Sequence, residues 1–161
     1  MVIKKGAKIP SVTFMYMSPD GPKKIDSREV FAGKRVALFG LPGAFTPVCS
    51  AAHLPGFIEK ANALKAKGVD RIVCVSVNDP FVMDAWGKAN NAGDKVMMLA
   101  DNQGEFTRAT GLAVELGDFG LGQRTQRFSM IVEDGTVKTI NVEKSVLEHG
   151  ISSAEAMLGQ A

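Results

Sequence analysis

Short apolar runs alternate along the chain with turns rich in glycine, proline and polar residues, which predicts a sheet of several strands. Residues 35–40 and 71–77 are apolar at nearly every position, as is typical of strands covered on both faces. Turn residues at 18–21 and at Asp134-Gly135 predict one hairpin early and one late. The remaining predicted strands are 12–17, 23–25, 96–100, 127–133 and 137–142.

Helical segments separate most of these strands. The longest predicted helix runs from Cys49 to Lys67, and Pro55-Gly56 is expected to kink or split it. The element order is β-β-α, then β-α-β-α-β-α, then β-β-α, which predicts an α/β fold with helices on both faces of a mixed sheet. The other predicted helices are 27–31, 81–90, 102–110 and 154–158. Their candidate N-caps are Asp26 or Ser27 for the first, the stretch Asn78-Asp79-Pro80 for the second, and Ser152 or Ser153 for the last.

Composition narrows the class of protein. The chain has 161 residues, which predicts one domain over 1–161. The formal net charge of +2 gives no reason to expect a nucleic-acid or membrane partner. No signal peptide and no apolar run of membrane-spanning length is found. Two cysteines form no disulfide framework, so a reducing, cytoplasmic location is expected.

The candidate chemistry lies after the strand that ends at residue 40. Two prolines and a glycine stiffen residues 42–48, which lead to Cys49 at the predicted start of a helix. Unpaired backbone N–H groups and the positive end of the helix dipole favour an anion there, so a reactive thiolate is expected. Free cysteines are also common as small buried hydrophobes, so these features leave a structural and a chemical role equally open.

A resemblance favours the chemical role. The spacing Pro42-x-x-x-Thr46-x-x-Cys49 resembles the active-site signature of the peroxiredoxins. The match extends over residues 39–57 and over later blocks at 75–79, 99–101 and 127–130, and it is similar to the type II, or peroxiredoxin-5, subfamily. The resemblance implies a thioredoxin-like fold with an N-terminal hairpin, and a thiol peroxidase that needs no cofactor or metal.

The resemblance also implies a role for each matching residue. Cys49 is the peroxidatic cysteine, which attacks a peroxide oxygen and becomes a sulfenic acid. Thr46 orients the peroxide, Pro42 shields the sulfur from water, and Arg127 stabilises the thiolate and the developing oxyanion. Gly43 is expected to let the loop approach the substrate. Taken alone, Thr46 could equally be a helix cap and Pro42 a turn residue.

Three nearby residues leave alternatives open. Arg124 could replace Arg127 as the catalytic arginine, although Arg127 directly precedes the matching Phe-Ser-Met. His53 shares a helical face with Cys49, where a structural hydrogen bond is favoured over a chemical role. Trp86 is expected to be a packing residue and, if it lies near the site, a fluorescence reporter.

The second cysteine bears on how the enzyme is reduced. Cys74 lies at about the spacing of the resolving cysteine proposed for plant-like type II members, but it falls in the middle of an apolar strand. A buried thiol there should be inert, and a disulfide would need Cα atoms within about 7 Å. Reduction is therefore expected from glutathione with glutaredoxin, or from thioredoxin. The family commonly forms homodimers near the active-site loop, where Phe45 could contribute.

Other functions would require different sets of residues. A disulfide oxidoreductase would need a C-x-x-C motif, but Thr46 stands three positions before Cys49. A zinc module could use both cysteines with His53 and His149, although the spacings match no zinc pattern. A redox sensor, chaperone or interaction role on the same scaffold stays open.

Overall fold

The computed structural model describes all 161 residues, which fold around a seven-stranded sheet. Its strands are β1 (Thr13–Ser18), β2 (Gly21–Asp26), β3 (Arg35–Gly40), β4 (Arg71–Ser76), β5 (Met97–Ala100), β8 (Phe128–Glu133) and β9 (Thr136–Val142). They are arranged in the order β2-β1-β5-β4-β3-β8-β9. A separate two-stranded sheet pairs β6 (Ala113–Glu115) with β7 (Gln123–Thr125). The helices are α1 (Ser27–Phe31), a π-helix (Cys49–His53), α2 (Leu54–Glu59), α3 (Ala61–Ala66), α4 (Pro80–Ala89), α5 (Glu105–Ala109), a 3-10 turn (Gly117–Phe119) and α6 (Ala154–Leu158).

The sheet is mixed, as the sequence pattern predicted. Strands β3, β4 and β5 run parallel, while β1 and β8 pair antiparallel with β5 and β3 on either side. Both predicted hairpins are confirmed, β1–β2 and β8–β9. Asp134 and Gly135 have φ of 47° and 79°, the left-handed pair that a tight hairpin turn requires.

Side chains of the central strands alternate between two buried cores. In β3, Ala37 and Phe39 face one core, while Val36 and Leu38 face the other. The first core contains Cys49, Cys74 and residues of α2, α3, α4 and α6; the second contains residues of α1 and α5. Coverage of both faces explains why these strands carry few polar residues, and it confirms the predicted α/β layering.

The long predicted helix differs from the structure. The π-helix gives way to α2 at Leu54, directly before Pro55, so the predicted interruption is present there, and a second break follows at Lys60, where α2 ends and α3 begins. Pro55 lies in the first turn of α2 and has no N–H to donate to a carbonyl of the preceding turn. The preceding turn is wide, with the Leu54 N–H donating to the Cys49 carbonyl, because a proline ring would clash with a carbonyl four residues earlier.

Smaller differences concern element ends and one missed pair. The predicted helix over 102–110 forms only over Glu105–Ala109, after Gly104 with its left-handed φ of 70°. Strand β8 begins at Phe128, so Arg127 lies just before it. The β6–β7 pair was not predicted, because its three-residue strands are too short for an alternating pattern. No helix of the structure has the length and apolarity needed to cross a bilayer.

Candidate active site

Cys49 is delivered by a loop that leaves the carboxyl end of β3. Helical geometry begins at Pro47, and Cys49 is the first residue of the π-helix. The Ala44 N–H donates to Asn78 Oδ1 at 3.0 Å, which ties the loop to the end of β4. Phe45 is exposed at the tip with φ of 61°, a left-handed conformation rare for bulky residues and typical of functional loops.

The other side of this loop rests on Arg124. Its Nη1 donates to the Pro42 carbonyl at 3.1 Å, and its Nε donates to the Leu121 carbonyl at 2.9 Å. A Cβ on Gly43 would stand 2.7 Å from Arg124 Nη1, so the glycine makes room for the guanidinium. Arg124 therefore fixes the loop backbone and makes no contact with the cysteine sulfur.

Thr46 is held by the same loop. Its hydroxyl donates to the Gly43 carbonyl at 2.7 Å, and its own carbonyl accepts from the Ser50 N–H at 2.9 Å. With its proton engaged in that bond, the hydroxyl presents lone pairs as acceptors. Pro42, beside it, is buried and has no N–H.

Arg127 is the group that touches the sulfur. Nη2 donates to Cys49 Sγ at 3.2 Å, and Nε and Nη2 donate to the Val146 carbonyl at 3.1 and 3.0 Å. The residue is 2% exposed, and none of the ion pairs in the structure includes it. Arg127 therefore presents a buried positive charge and an N–H donor directly to the sulfur of Cys49.

The third nitrogen of the Arg127 guanidinium, Nη1, contacts His53. His53 Nε2 lies 2.9 Å from the Ser152 carbonyl, which can only accept, so Nε2 carries the proton. Nδ1 is therefore the acceptor for Arg127 Nη1, at 2.9 Å. Burial, and next the charge of Arg127, lower the pKa of His53 well below its ordinary value, so the ring is neutral. It also packs against Phe39, with ring centroids 5.0 Å apart.

A cavity of about 290 Å³ opens above Arg127 and the loop. Its wall contains Pro42 and Thr46 on one side and apolar side chains on the other, namely Leu116, Phe119, Leu121, Val146 and Leu147. Cys49 itself is fully buried beneath this floor. A small substrate would thus meet the hydroxyl of Thr46 and the guanidinium in an otherwise apolar surrounding.

Cys74 and Trp86 lie in the same core. Cys74 is fully buried in β4, and burial, followed by the nearby Cys49 charge, raises its pKa well above the ordinary value, although Arg127 opposes this. Both cysteines are free thiols. The Trp86 indole is buried, and its Nε1 donates to Ser50 Oγ at 3.0 Å, one residue after Cys49.

Glu143 was not predicted from the sequence. Glu143 follows β9 and is 6% exposed, and its Oε2 accepts from the Gly150 N–H, the Ser152 N–H and the Ser152 hydroxyl. No motif marks a lone glutamate after a strand, and its partners come from a turn several residues later. No three His, Cys, Asp or Glu side chains are grouped so that they could hold a metal ion.

Comparison with known proteins agrees with this arrangement. Residues 4–158 match the Redoxin family model. Peroxiredoxin-2B of Arabidopsis thaliana is 47% identical over 97% of this chain and 96% of its own length. Chloroplastic peroxiredoxin-2E-2 of Oryza sativa subsp. japonica is 49% identical over 97% of this chain and 71% of its own.

A solved structure gives the same result in three dimensions. Reduced Prx3 of Vibrio vulnificus, crystallised in complex with H2O2, superposes with a TM-score of 0.94 at 47% identity, over 99% of each chain. The thioredoxin-like fold predicted from the sequence is thereby confirmed. The chain belongs to the Redoxin family and, within it, to the type II peroxiredoxins, which are thiol-dependent peroxidases with an antioxidant function.

Proposed function

We propose that Cys49 is the nucleophile that reduces hydroperoxides. The thiolate attacks the nearer peroxide oxygen, an S–O bond forms, and the O–O bond breaks. The attacked oxygen keeps its proton, so the sulfur is oxidised to a sulfenic acid, while the leaving oxygen takes a proton from solvent and departs as water or an alcohol. The observation that carries this proposal is the 3.2 Å hydrogen bond from Arg127 Nη2 to Cys49 Sγ in a buried site.

The groups around Cys49 bind the peroxide, stabilise the developing charge and exclude water. Thr46 accepts a hydrogen bond from the peroxide hydroxyl, because its own proton is engaged with the Gly43 carbonyl. Arg127 stabilises both the thiolate and the charge that develops on the peroxide oxygens. Pro42 has no N–H to offer water, and it keeps the sulfur in an apolar surrounding.

We propose hydrogen peroxide and small alkyl hydroperoxides as substrates. The structure of the Vibrio vulnificus relative in complex with H2O2 supports the first. The apolar wall of the cavity, with Phe119 and Leu147 at its rim, supports the second, because an alkyl group can be buried there.

The proposal is tested by stopped-flow mixing of the reduced protein with hydrogen peroxide and with tert-butyl hydroperoxide. The wild type should consume both, while Cys49→Ser should consume neither. Cys74→Ser is the matched control, because it makes the same replacement of sulfur by oxygen at the other thiol of the chain. Equal peroxide consumption by wild type and Cys49→Ser would refute the assignment.

We propose that an external thiol restores the enzyme, with glutathione and glutaredoxin preferred over thioredoxin. One thiol condenses with the sulfenic acid to give a mixed disulfide and water, and a second thiol releases reduced Cys49 as a disulfide forms between the two reductant sulfurs. The burial of Cys74 in a central strand supports this route over an internal disulfide. Loss of glutaredoxin-dependent turnover in a folded Cys74→Ser variant would contradict it.

We propose a homodimer formed through the face that surrounds the cavity. Phe45, Phe119 and Leu147 are 59%, 64% and 66% exposed, an apolar surface of the kind that protein partners cover. Sedimentation should report a dimer that Leu147→Glu dissociates. A cytoplasmic location stays a prediction from the two free cysteines; the rice relative is named as chloroplastic.

A further inference from the structure

The segment that follows β9 reaches the active site without forming any helix or strand of its own. Residues 143–153 leave the sheet, cross beside the cavity and enter α6. Two backbone carbonyls of this segment bind the catalytic cluster. The Val146 carbonyl accepts two bonds from Arg127, and the Ser152 carbonyl accepts from His53.

Those two carbonyls decide where the guanidinium points. Arg127 lies next to no carboxylate, so its orientation depends on Val146, on His53 and on the sulfur itself. His53 in turn is oriented by the Ser152 carbonyl at 2.9 Å. A displacement of the segment would therefore move both supports of the donor that touches Cys49.

The segment has little hydrophobic anchorage of its own. Lys144, Ser145, Leu147 and Glu148 are exposed, and Val146 is only half-buried. The carboxylate of Glu143 ties the far end of the segment back to the end of β9: its Oε2 accepts from the Gly150 N–H at 2.8 Å, the Ser152 N–H at 2.8 Å and the Ser152 hydroxyl at 2.6 Å. The ring of His149 adds one contact with His53, with ring centroids 5.0 Å apart. Bonds to a buried charged acceptor are about twice as strong as neutral ones.

We propose that Glu143 is a positioning residue for peroxide reduction, acting through residues 144–153 on Arg127. The carboxylate pins the Ser152 backbone, the Ser152 carbonyl fixes the protonated nitrogen of His53, and the other nitrogen of His53 fixes Arg127 against the sulfur. Glu143 touches neither the peroxide nor the sulfur. This inference rests on the proposed role of Cys49 and Arg127, and it adds a residue that no active-site motif contains.

The test is a double-mutant cycle on the second-order rate constant for hydrogen peroxide. Glu143→Gln removes the negative charge but keeps one acceptor oxygen, and it should slow the reaction about tenfold because misplacement of a catalytic group by about 1 Å can cost up to a hundredfold. In an Arg127→Lys background the same change should have no further effect, because the group it positions is gone. Glu148→Gln, with the same charge change on the same segment, should keep the wild-type rate.

A merely structural role of Glu143 makes different predictions. If Glu143 only supports the fold, Glu143→Gln lowers the melting temperature but leaves the rate constant of the folded protein unchanged, or it slows the wild type and the Arg127→Lys background by the same factor. Either of these rate results would overturn the proposal. Ser152→Ala provides a second test in case Glu143→Gln does not fold, because it removes only one of the three donors to the Glu143 carboxylate. A folded Ser152→Ala variant with the wild-type rate and no coupling to Arg127→Lys would also overturn it.

Failure of the proposed function would look different. In that case the wild type itself would not react rapidly with peroxide, or Cys49→Ser would react equally well. The positioning role fails alone when the wild type reacts, Cys49→Ser does not, and Glu143→Gln behaves as Glu148→Gln does.

Discussion

Replacing Arg127 with lysine tests how much of the peroxide reaction depends on the shape of the guanidinium and not on its charge. The wild-type donor lies 3.2 Å from Cys49 Sγ, where a unit charge attracts a thiolate by about 5 kcal/mol at an effective dielectric constant of about 20. An ammonium cannot reach His53, the Val146 carbonyl and the sulfur together. At about 5 Å from the sulfur the attraction falls to about 3 kcal/mol.

Because the guanidinium also stabilises the charge that moves onto the peroxide oxygens, losing about 2 kcal/mol of this attraction in the transition state corresponds to a factor of about thirty in rate. Loss of the direct donor brings the expected decrease to about a hundredfold, the lower range for removal of one oxyanion donor. The assay is single-turnover reaction of the reduced protein with hydrogen peroxide, followed by stopped flow. Each variant is first shown to be folded by circular dichroism.

Arg124→Lys is the matched control, because Arg124 binds only loop carbonyls. It should slow peroxide attack by less than about tenfold, because the lysine keeps the positive charge and can keep one of the two hydrogen bonds to these carbonyls. The reasoning would be refuted by an Arg127→Lys variant with the wild-type rate. It would also be refuted if Arg124→Lys lost as much activity as Arg127→Lys.

Three further outcomes follow from the packing around the site. Gly40→Ala should lower the free energy of unfolding, measured in urea, by about 1–3 kcal/mol or more, because the new Cβ would collide with the Phe128 ring. Gly56→Ala is the control and should not lower it, because the space around Gly56 is open. Equal stabilities of the two variants would contradict this prediction. Oxidation of Cys49 should change the fluorescence of Trp86, because the Trp86 indole donates a hydrogen bond to Ser50, the residue after Cys49. Trp86→Phe should abolish the signal; a signal that persists in that variant would contradict the assignment. Burial raises the pKa of Glu143, but hydrogen bonds from the 150–152 backbone and hydroxyl outweigh this and hold it below its ordinary value. The extra stability of wild type over Glu143→Gln should therefore be full at neutral pH and disappear as the pH falls through that lowered pKa; a difference that is constant over the acid range would contradict it.

The sequence predicted the parts of the fold that depend on local pattern. Apolar runs in β3 and β4 indicated buried central strands, and Asp134-Gly135 indicated the last hairpin. The π-helix was missed, because the apolar positions of a wide turn differ little from those of an ordinary helix. The 113–125 hairpin was missed for a related reason, since three residues are too few to show a period of two.

The candidate site, too, could be predicted only where its residues are close together in the sequence. Cys49, Thr46 and Pro42 lie within one short stretch of sequence, so a motif could find them. The contact between Arg127 and Cys49 joins residues 78 positions apart and followed from the resemblance alone. Glu143 has no sequence signal at all, because its importance comes from a turn that folds back toward it. Contacts made by backbone carbonyls, such as that of Ser152, leave no trace in residue identity.

The absence of a carboxylate beside Arg127 has a consequence for the catalytic cycle. While the sulfur is a thiolate, the core holds one positive and one negative charge in contact, and the buried guanidinium is neutralised. Once the sulfur has become a neutral sulfenic acid, the same guanidinium is left in the interior without a counterion. The reaction thus removes the attraction between Arg127 and the sulfur at Cys49. We expect the oxidised site to be held less firmly than the reduced one, so that a bulky reductant should reach Cys49 more easily after oxidation than before it.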